Sequence, residues 1–166
     1  MKNAVGVKSF LTENVFYLYH YIIFFGGILM SIIKKDLSPK GFTVKTGSYS
    51  HGLLVSDGNT DWIFVTGQIA MDAKGNVVCP NDIAGQAEFI FNNIAKILAE
   101  ANASLDDVVK AQIFLTDMSL FSKVSPVRNK YFAKSQPVST MLEVNAMVKE
   151  GCMLEIEVIA MKEASK

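Results

Sequence analysis

The residues able to do chemistry in this chain gather in two short runs near its end. "QPVSTMLEV", Gln136 to Val144, opens a strand on two hydroxyls, Ser139 and Thr140, and carries Glu143 further on. "LEIEVIA", Leu154 to Ala160, carries Glu155 and Glu157 at strand spacing, so both carboxylates leave the same face. A carboxylate in a partly dry cleft serves as a general acid or base on a positioned water; the alternative is an interface hydrogen-bond partner and nothing more. Ser139 and Thr140 either hold an uncharged ligand or satisfy local backbone groups at the strand entry. Gly67 in "VTGQ" allows a backbone to come close to a ligand, or marks a bulge. His51 has no nucleophile beside it and reads as a polar loop residue. The single arginine, Arg128, lies outside both runs. Cys79 and Cys152 form no CxxC pair and no cluster with histidine, so no metal site and no disulfide framework is predicted; both read as free thiols in a reducing compartment.

These groups need a scaffold, and 166 residues suffice for one domain with a real core. Lysine plus arginine and aspartate plus glutamate number 16 each, with no basic run interleaved with aromatics, so no nucleic-acid partner is expected. The positive mean hydropathy, +0.27, comes largely from Val15 to Ile33, which holds no charged residue and is followed by Lys34 and Lys35. At about nineteen residues this stretch is just long enough to span a bilayer. His20, the tyrosines and the Gly26–Gly27 pair dilute it, and no small-residue cleavage site follows. Two readings stand for the hydrophobic segment 1–33: its first 29 residues are an upstream extension before a native start at Met30 and the protein is cytoplasmic, or residues 15–33 anchor it in a membrane. Residues 34–166 form the domain in either case.

Within that domain the texture is α+β. "SHGLLVS" and "DWIFVTGQIAM" flank the turn formers "DGNTD" and predict a hairpin, and "DAKGNVV" predicts a second turn. Pro80, Asn81 and Asp82 introduce a helix whose apolar stripe runs Ile83, Ala87, Ile90, Ile94, Ile97, Leu98 and Ala101, with Asn102 at its end. "DVVKAQIFLTD" predicts a central strand. A second helix buries Phe121, Val124, Val127, Tyr131 and Phe132, and Pro126 predicts a break in it, with Ser125 capping a fresh start. In the last two strands, "VSTMLEVNAM" and "CMLEIEVIAM", the even-numbered positions are apolar and are expected to face the helices, even beside even. The odd-numbered face then sets Ser139, Met141 and Glu143 beside Glu155, Glu157 and Ile159. This mixture suits either a subunit contact or an ordinary solvent face. With that register Ser139 lies near Ile159, and Glu155 about 13 Å further along, so one small ligand cannot touch both in a single chain.

Together, "GSYSHG", "IFVTGQIAMD", "DIAGQAEFIFNNIAKILAEAN", "SLDDVVKAQIFLTDMSLF", the Tyr131–Phe132 pair and "LEIEVIA" resemble the RidA/YjgF family of reactive-intermediate deaminases, in order from roughly Ile32 to Met161. The resemblance implies a chorismate-mutase-like (YjgF-type) fold with a six-stranded, mostly antiparallel sheet and two helices. It further implies a homotrimer with a central barrel and ligand clefts between subunits. The implied chemistry is cofactor-free hydrolysis of enamines and imines such as 2-aminoacrylate and 2-iminobutanoate to 2-oxo acids and ammonia. Carried over residue by residue, it makes Glu155 the catalytic group. Gly67 lends its backbone N–H to the substrate, and Thr66, Tyr49 and Asn93 stand beside it.

One departure stands out. The family pattern at the start of the sixth strand is Pro-Ala-Arg-Ser, whose arginine grips the substrate carboxylate; here Ser139 takes that place. Charge-assisted hydrogen bonds are each worth roughly 1.5–3 kcal/mol against about 1 for a neutral one, so losing a bidentate grip weakens carboxylate binding by roughly two orders of magnitude or more. The expectation is a deaminase weakened or redirected, unless Lys110 or another lysine swings in. The alternative is a non-catalytic trimer that binds small metabolites or regulates on the same scaffold.

Overall fold

Alternation in the last strand shows how the sheet is built. Leu154, Ile156, Val158 and Ala160 are buried, whereas Glu155, Glu157 and Ile159 are only half-buried. A period of two puts the first set against the helices and the second on the opposite face. The computed structural model describes residues 21–25, 28–42, 45 and 47–164. Its strands are β1 (Tyr21–Phe25), β2 (Ile28–Leu37), β3 (Gly52–Ser56), β4 (Thr60–Ile69), β5 (Val108–Leu115), β6 (Val138–Glu143) and β7 (Leu154–Glu163). Strands β2 to β7 form the expected six-stranded sheet in the order β2-β3-β4-β7-β5-β6, and β1 adds to β2 at its edge. Every pairing is antiparallel except β5 with β6.

The described part of the apolar amino-terminal stretch is strand: β1 and β2 pair from Tyr21↔Ile32 to Phe25↔Ile28. Strand β2 continues across the expected boundary at residue 33 to pair with β3. Among the described residues no helix is long and apolar enough to cross a membrane. The remainder of that stretch, residues 15–20 and 26–27, lies outside the described residues.

Helix α1 (Ile83–Ala99) covers one face of the sheet, starting where Asp82 Oδ1 accepts from Gly85 N at 3.1 Å. Its stripe is buried as the spacing predicts, and Asn102 just beyond it adopts φ 53°, the left-handed conformation asparagine tolerates at a helix end. Helix α2 (Phe121–Tyr131) docks on α1 through Phe91, stacked on Tyr131 at 4.7 Å and edge-on to Phe132 at 5.2 Å. The Tyr131 hydroxyl donates to Glu88 at 2.5 Å and Lys130 pairs with the same carboxylate at 2.9 Å.

Phe121, expected on the buried face of the second helix, is 44% exposed at its start. Two further expectations fail. Helix α2 runs through Pro126 without a break, and Ser125 Oγ accepts from Arg128 rather than capping a new start. Pro126 and Ser122 are both exposed, so the ring meets solvent and the one carbonyl left without its helical donor is open to water. The second failure concerns β6. It does not pair with β7; β5 lies between them, with Ala111 opposite both Ser139 and Val158. Odd-numbered β6 residues therefore share the helix-facing side with even-numbered β7 residues. Met141 packs on the core, while Leu142, expected to be buried, is 48% exposed.

Candidate active site

A break in the β4–β7 ladder creates the site. Pairing runs from Thr60↔Glu163 to Val65↔Val158 and resumes at Gln68↔Ile156, so Thr66 and Gly67 have no partner in β7. This bulge opens the sheet beside Glu155, which sits opposite Ile69 on one side and Phe114 on the other. The Glu155 side chain fills the space a side chain at position 67 would need: a Cβ there would lie 2.6 Å from Glu155 Cδ and 2.9 Å from Cγ. Glycine is thus required for close approach rather than for its backbone angle. The buried Gln68 amide fastens the bulge by donating to Thr66 O at 3.1 Å and to Gly67 O at 3.4 Å.

A pocket of about 430 Å³ extends from this point. Tyr49, Thr66, Gly67, Asn93 and Glu155 all line it, so five of the six residues singled out in the sequence meet in one place. Asn93 is buried, and its amide makes no hydrogen bond with another described residue, whereas its neighbour Asn92 is exposed and donates to Glu88 O on its own helix. Asn93 is therefore the asparagine with donors and acceptor to offer a ligand. Among the described residues nothing donates a hydrogen bond to Glu155. Burial, and after it the negative charge of Glu157, holds its carboxyl above the usual carboxylate value. A carboxyl so placed holds its proton more readily than an exposed glutamate does, which suits it to acid–base exchange with a bound water.

The sixth residue, Ser139, is not in this pocket. Its row runs through Ala111 to Val158, two strand spacings of about 4.8 Å and three residues of about 3.3 Å from Glu155, and on the opposite face of the sheet. It lines a separate hollow at the end of α2. Glu143 has a local task, accepting from Met118 N at 2.7 Å.

A family profile described as Endoribonuclease L-PSP matches residues 43–162. The chain belongs to the RidA/YjgF family. A RutC family protein of Pyrococcus abyssi is 40% identical over 132 residues, 80% of this chain and 97% of that one. A 2-iminobutanoate/2-iminopropanoate deaminase of Bos taurus is 33% identical over 134 residues, 81% and 94% respectively. The crystal structure of yeast Mmf1 superposes with a TM-score of 0.68 at 32% identity, covering 76% of this chain and 97% of that one.

This RidA/YjgF chain also brings to the pocket residues that the sequence reading passed over. His51, taken for a polar loop residue, is buried at the pocket wall, edge-on to Phe42 at 5.4 Å and to Tyr49 at 6.0 Å. Lys149 lines the pocket from the segment before β7. Gln86, fully buried on α1, fixes that segment: its Nε2 donates to Gly151 O at 2.9 Å and to Cys79 O at 3.3 Å, and its Oε1 accepts from Met153 N at 2.8 Å. An uncharged polar residue inside an apolar helical stripe was the available sign for Gln86. No spacing rule ties Lys149 or His51 to Glu155.

Proposed function

We propose that the protein hydrolyses small 2-imino acids and their enamine tautomers to 2-oxo acids and ammonia, without a cofactor, in clefts completed by neighbouring protomers of a homotrimer. Water adds to the carbon of the protonated C=N bond while Glu155 takes its proton, giving a carbinolamine. The same carboxyl returns that proton to nitrogen, then takes the hydroxyl proton as the C–N bond breaks, so that ammonia leaves and the carbonyl forms. The observation that carries this reading is the raised Glu155 carboxyl pressed over Gly67 at the bulge, with Asn93, Thr66 and Tyr49 around one pocket of a size suited to a small metabolite. Deaminase-named relatives at about a third identity support it.

The trimer rests on the sheet's uncovered face. Trp62, Phe64, Met161 and Leu142 share that face through the registers Trp62↔Met161, Phe64↔Ile159 and Phe114↔Leu142, and each is two-fifths exposed or more. Apolar surface of this kind is characteristic of a subunit contact. The separation of Ser139 from the Glu155 pocket also supports a cleft shared between chains. A cytoplasmic location accords with substrates released by pyridoxal-phosphate dehydratases.

The test is a coupled assay in which a threonine dehydratase generates 2-iminobutanoate. Faster release of 2-oxobutanoate with the protein present, lost in Glu155→Gln, is expected. No acceleration at high protein concentration, with 2-oxobutanoate still bound, would leave a non-catalytic binder on the same scaffold, the reading favoured by serine at position 139. Sedimentation of the full chain tests the trimer, and a monomer would overturn it.

A further inference from the structure

The one arginine of the chain, remote from "QPVSTMLEV" by eight residues or more, stands beside Ser139 in the fold. Helix α2 ends at Tyr131, and Gln136 N bonds back to Phe132 O at 2.9 Å with Gln136 at φ 44°, so the chain reverses tightly and β6 starts next to the last turns of α2. The result is a hollow of about 450 Å³ lined by Arg128, Asn129, Phe132, Gln136, Pro137 and Ser139, with no carboxylate among its walls.

Arg128 is half-buried there and its charge has no carboxylate partner among the described residues. Its Nε and Nη2 donate to Asn129 Oδ1 at 3.2 and 3.0 Å, and Nη2 also donates to Ser125 Oγ at 3.2 Å. All three contacts are to neutral oxygens. The salt bridges among the described residues use lysines, and none reaches Arg128. Nη1 makes no hydrogen bond with a described residue, so its N–H groups are free to donate a charge-assisted bond to an anion in the hollow. Asn129 and Ser125 hold the fork still, so less rotamer freedom is lost on binding than a surface lysine would lose.

We propose that Arg128 is the carboxylate-binding residue of the cleft. It supplies from α2 the grip that position 139 on β6 lacks, with the Ser139 hydroxyl donating one further bond to the same anion. The ligand class is a small monocarboxylate, a 2-oxo or 2-imino acid. This proposal deepens the deaminase reading and rests on it only for the reaction; binding of the carboxylate stands apart.

The experiment titrates the full chain with 2-oxobutanoate by calorimetry and runs the coupled imine assay in parallel. Arg128→Gln is expected to weaken binding roughly 10-fold or more, the loss of one charge-assisted bond, and Arg128→Lys to recover only part of it. In the otherwise unaltered protein, Ser139→Arg brings no gain, because two guanidinium groups crowd one anion. Added to Arg128→Gln, it restores binding. Wild-type affinity in Arg128→Gln with intact thermal unfolding, no binding of 2-oxobutanoate by the wild type at millimolar concentration, or loss of binding in Lys149→Ala alone would each overturn the proposal. The two readings separate cleanly. A protein that binds 2-oxobutanoate through Arg128 yet deaminates nothing keeps the grip and loses the reaction, whereas undiminished deamination in Arg128→Gln does the reverse.

Discussion

The Glu155 pocket and the Arg128 hollow are built from opposite kinds of material. The first lies between two inner strands, where bulge, glycine and carboxylate constrain one another: Gly67 exists because Glu155 lies over it, and Glu155 is desolvated because the bulge folds it in. The second lies where an edge strand meets a helix end, and β6 is exposed along most of its length. A site whose residues pack directly on one another leaves little freedom for substitution. A site on an edge strand can move its charge from strand to helix and keep it in the same hollow. On the function proposed above, proton transfer is the constrained half of the cleft and anion recognition the adjustable half.

The largest effect should come from the constrained half. Glu155→Gln is expected to lower kcat by on the order of 10²–10⁴, the usual weight of a positioned acid–base group. It should also raise the melting temperature at neutral pH. The sign follows from the carboxyl being held above its ordinary 4.5 by burial and by Glu157: its contribution to stability is complete below pH 4.5 and is lost as pH rises through the shifted value. Glutamine carries no such loss, so the stability difference should close when both proteins are melted near pH 4. A variant less stable than wild type at pH 7 would show that the Glu155 carboxylate is held by partners rather than strained by burial.

Gly67→Ala comes next. The new methyl group must displace the Glu155 carboxylate, and a shift of about 1 Å at the reacting group costs roughly 10²-fold in turnover. Affinity for 2-oxobutanoate should change far less if, as proposed, the anion is held at Arg128. Equal losses in turnover and in affinity would break the division between the two halves of the cleft.

That division was only partly legible in the sequence. Period-two and period-3.6 patterns placed the β3–β4 hairpin, α1, β5 and β7, because burial on one face dictates side-chain chemistry there. Family-like segments pointed to Glu155, Gly67, Thr66, Tyr49 and Asn93, and these meet in one pocket. The neighbour of β6 was not encoded in its own residues. Its two faces are both mixed, so nothing in "VSTMLEV" separates pairing with β7 from pairing with β5, and the choice inverted which side Ser139 occupies. The nearness of Arg128 to Ser139 was hidden for a related reason: it depends on the tight reversal at Gln136, an αL residue that is not glycine. Pro126 misled because a helix interrupted on its solvent side can leave the freed carbonyl to water.

Gln86 tests the frame that carries Lys149 and Glu155. Gln86→Leu keeps the volume but removes the part-buried bonds to Met153 N–H and the Gly151 carbonyl, and each lost bond costs on the order of 1 kcal/mol. A lower urea midpoint with an unchanged slope is expected, together with a modest fall in turnover as the start of β7 loosens. An unchanged midpoint would mean that water replaces the amide.

The smallest effect concerns the tether of the adjustable half. Tyr131→Phe removes the hydroxyl that donates to Glu88 at 2.5 Å but keeps the stacking on Phe91, and because the carboxylate is more than one-third exposed the cost should stay below about 1 kcal/mol. Its pH dependence is distinctive. The phenol is pushed up to about 12 by burial and then by the Glu88 carboxylate, so the wild-type advantage holds below pH 10 and fades as pH rises towards 12. At the acid end, the hydrogen bond from Tyr131, and then that from Lys130, keep Glu88 below its ordinary value, so the advantage also shrinks as pH falls through that lowered value. Because the tether fixes the helix that carries Arg128, the variant should bind 2-oxobutanoate a few-fold more weakly while kcat stays unchanged. A fall in kcat with unchanged binding would place α2 in proton transfer instead of anion recognition.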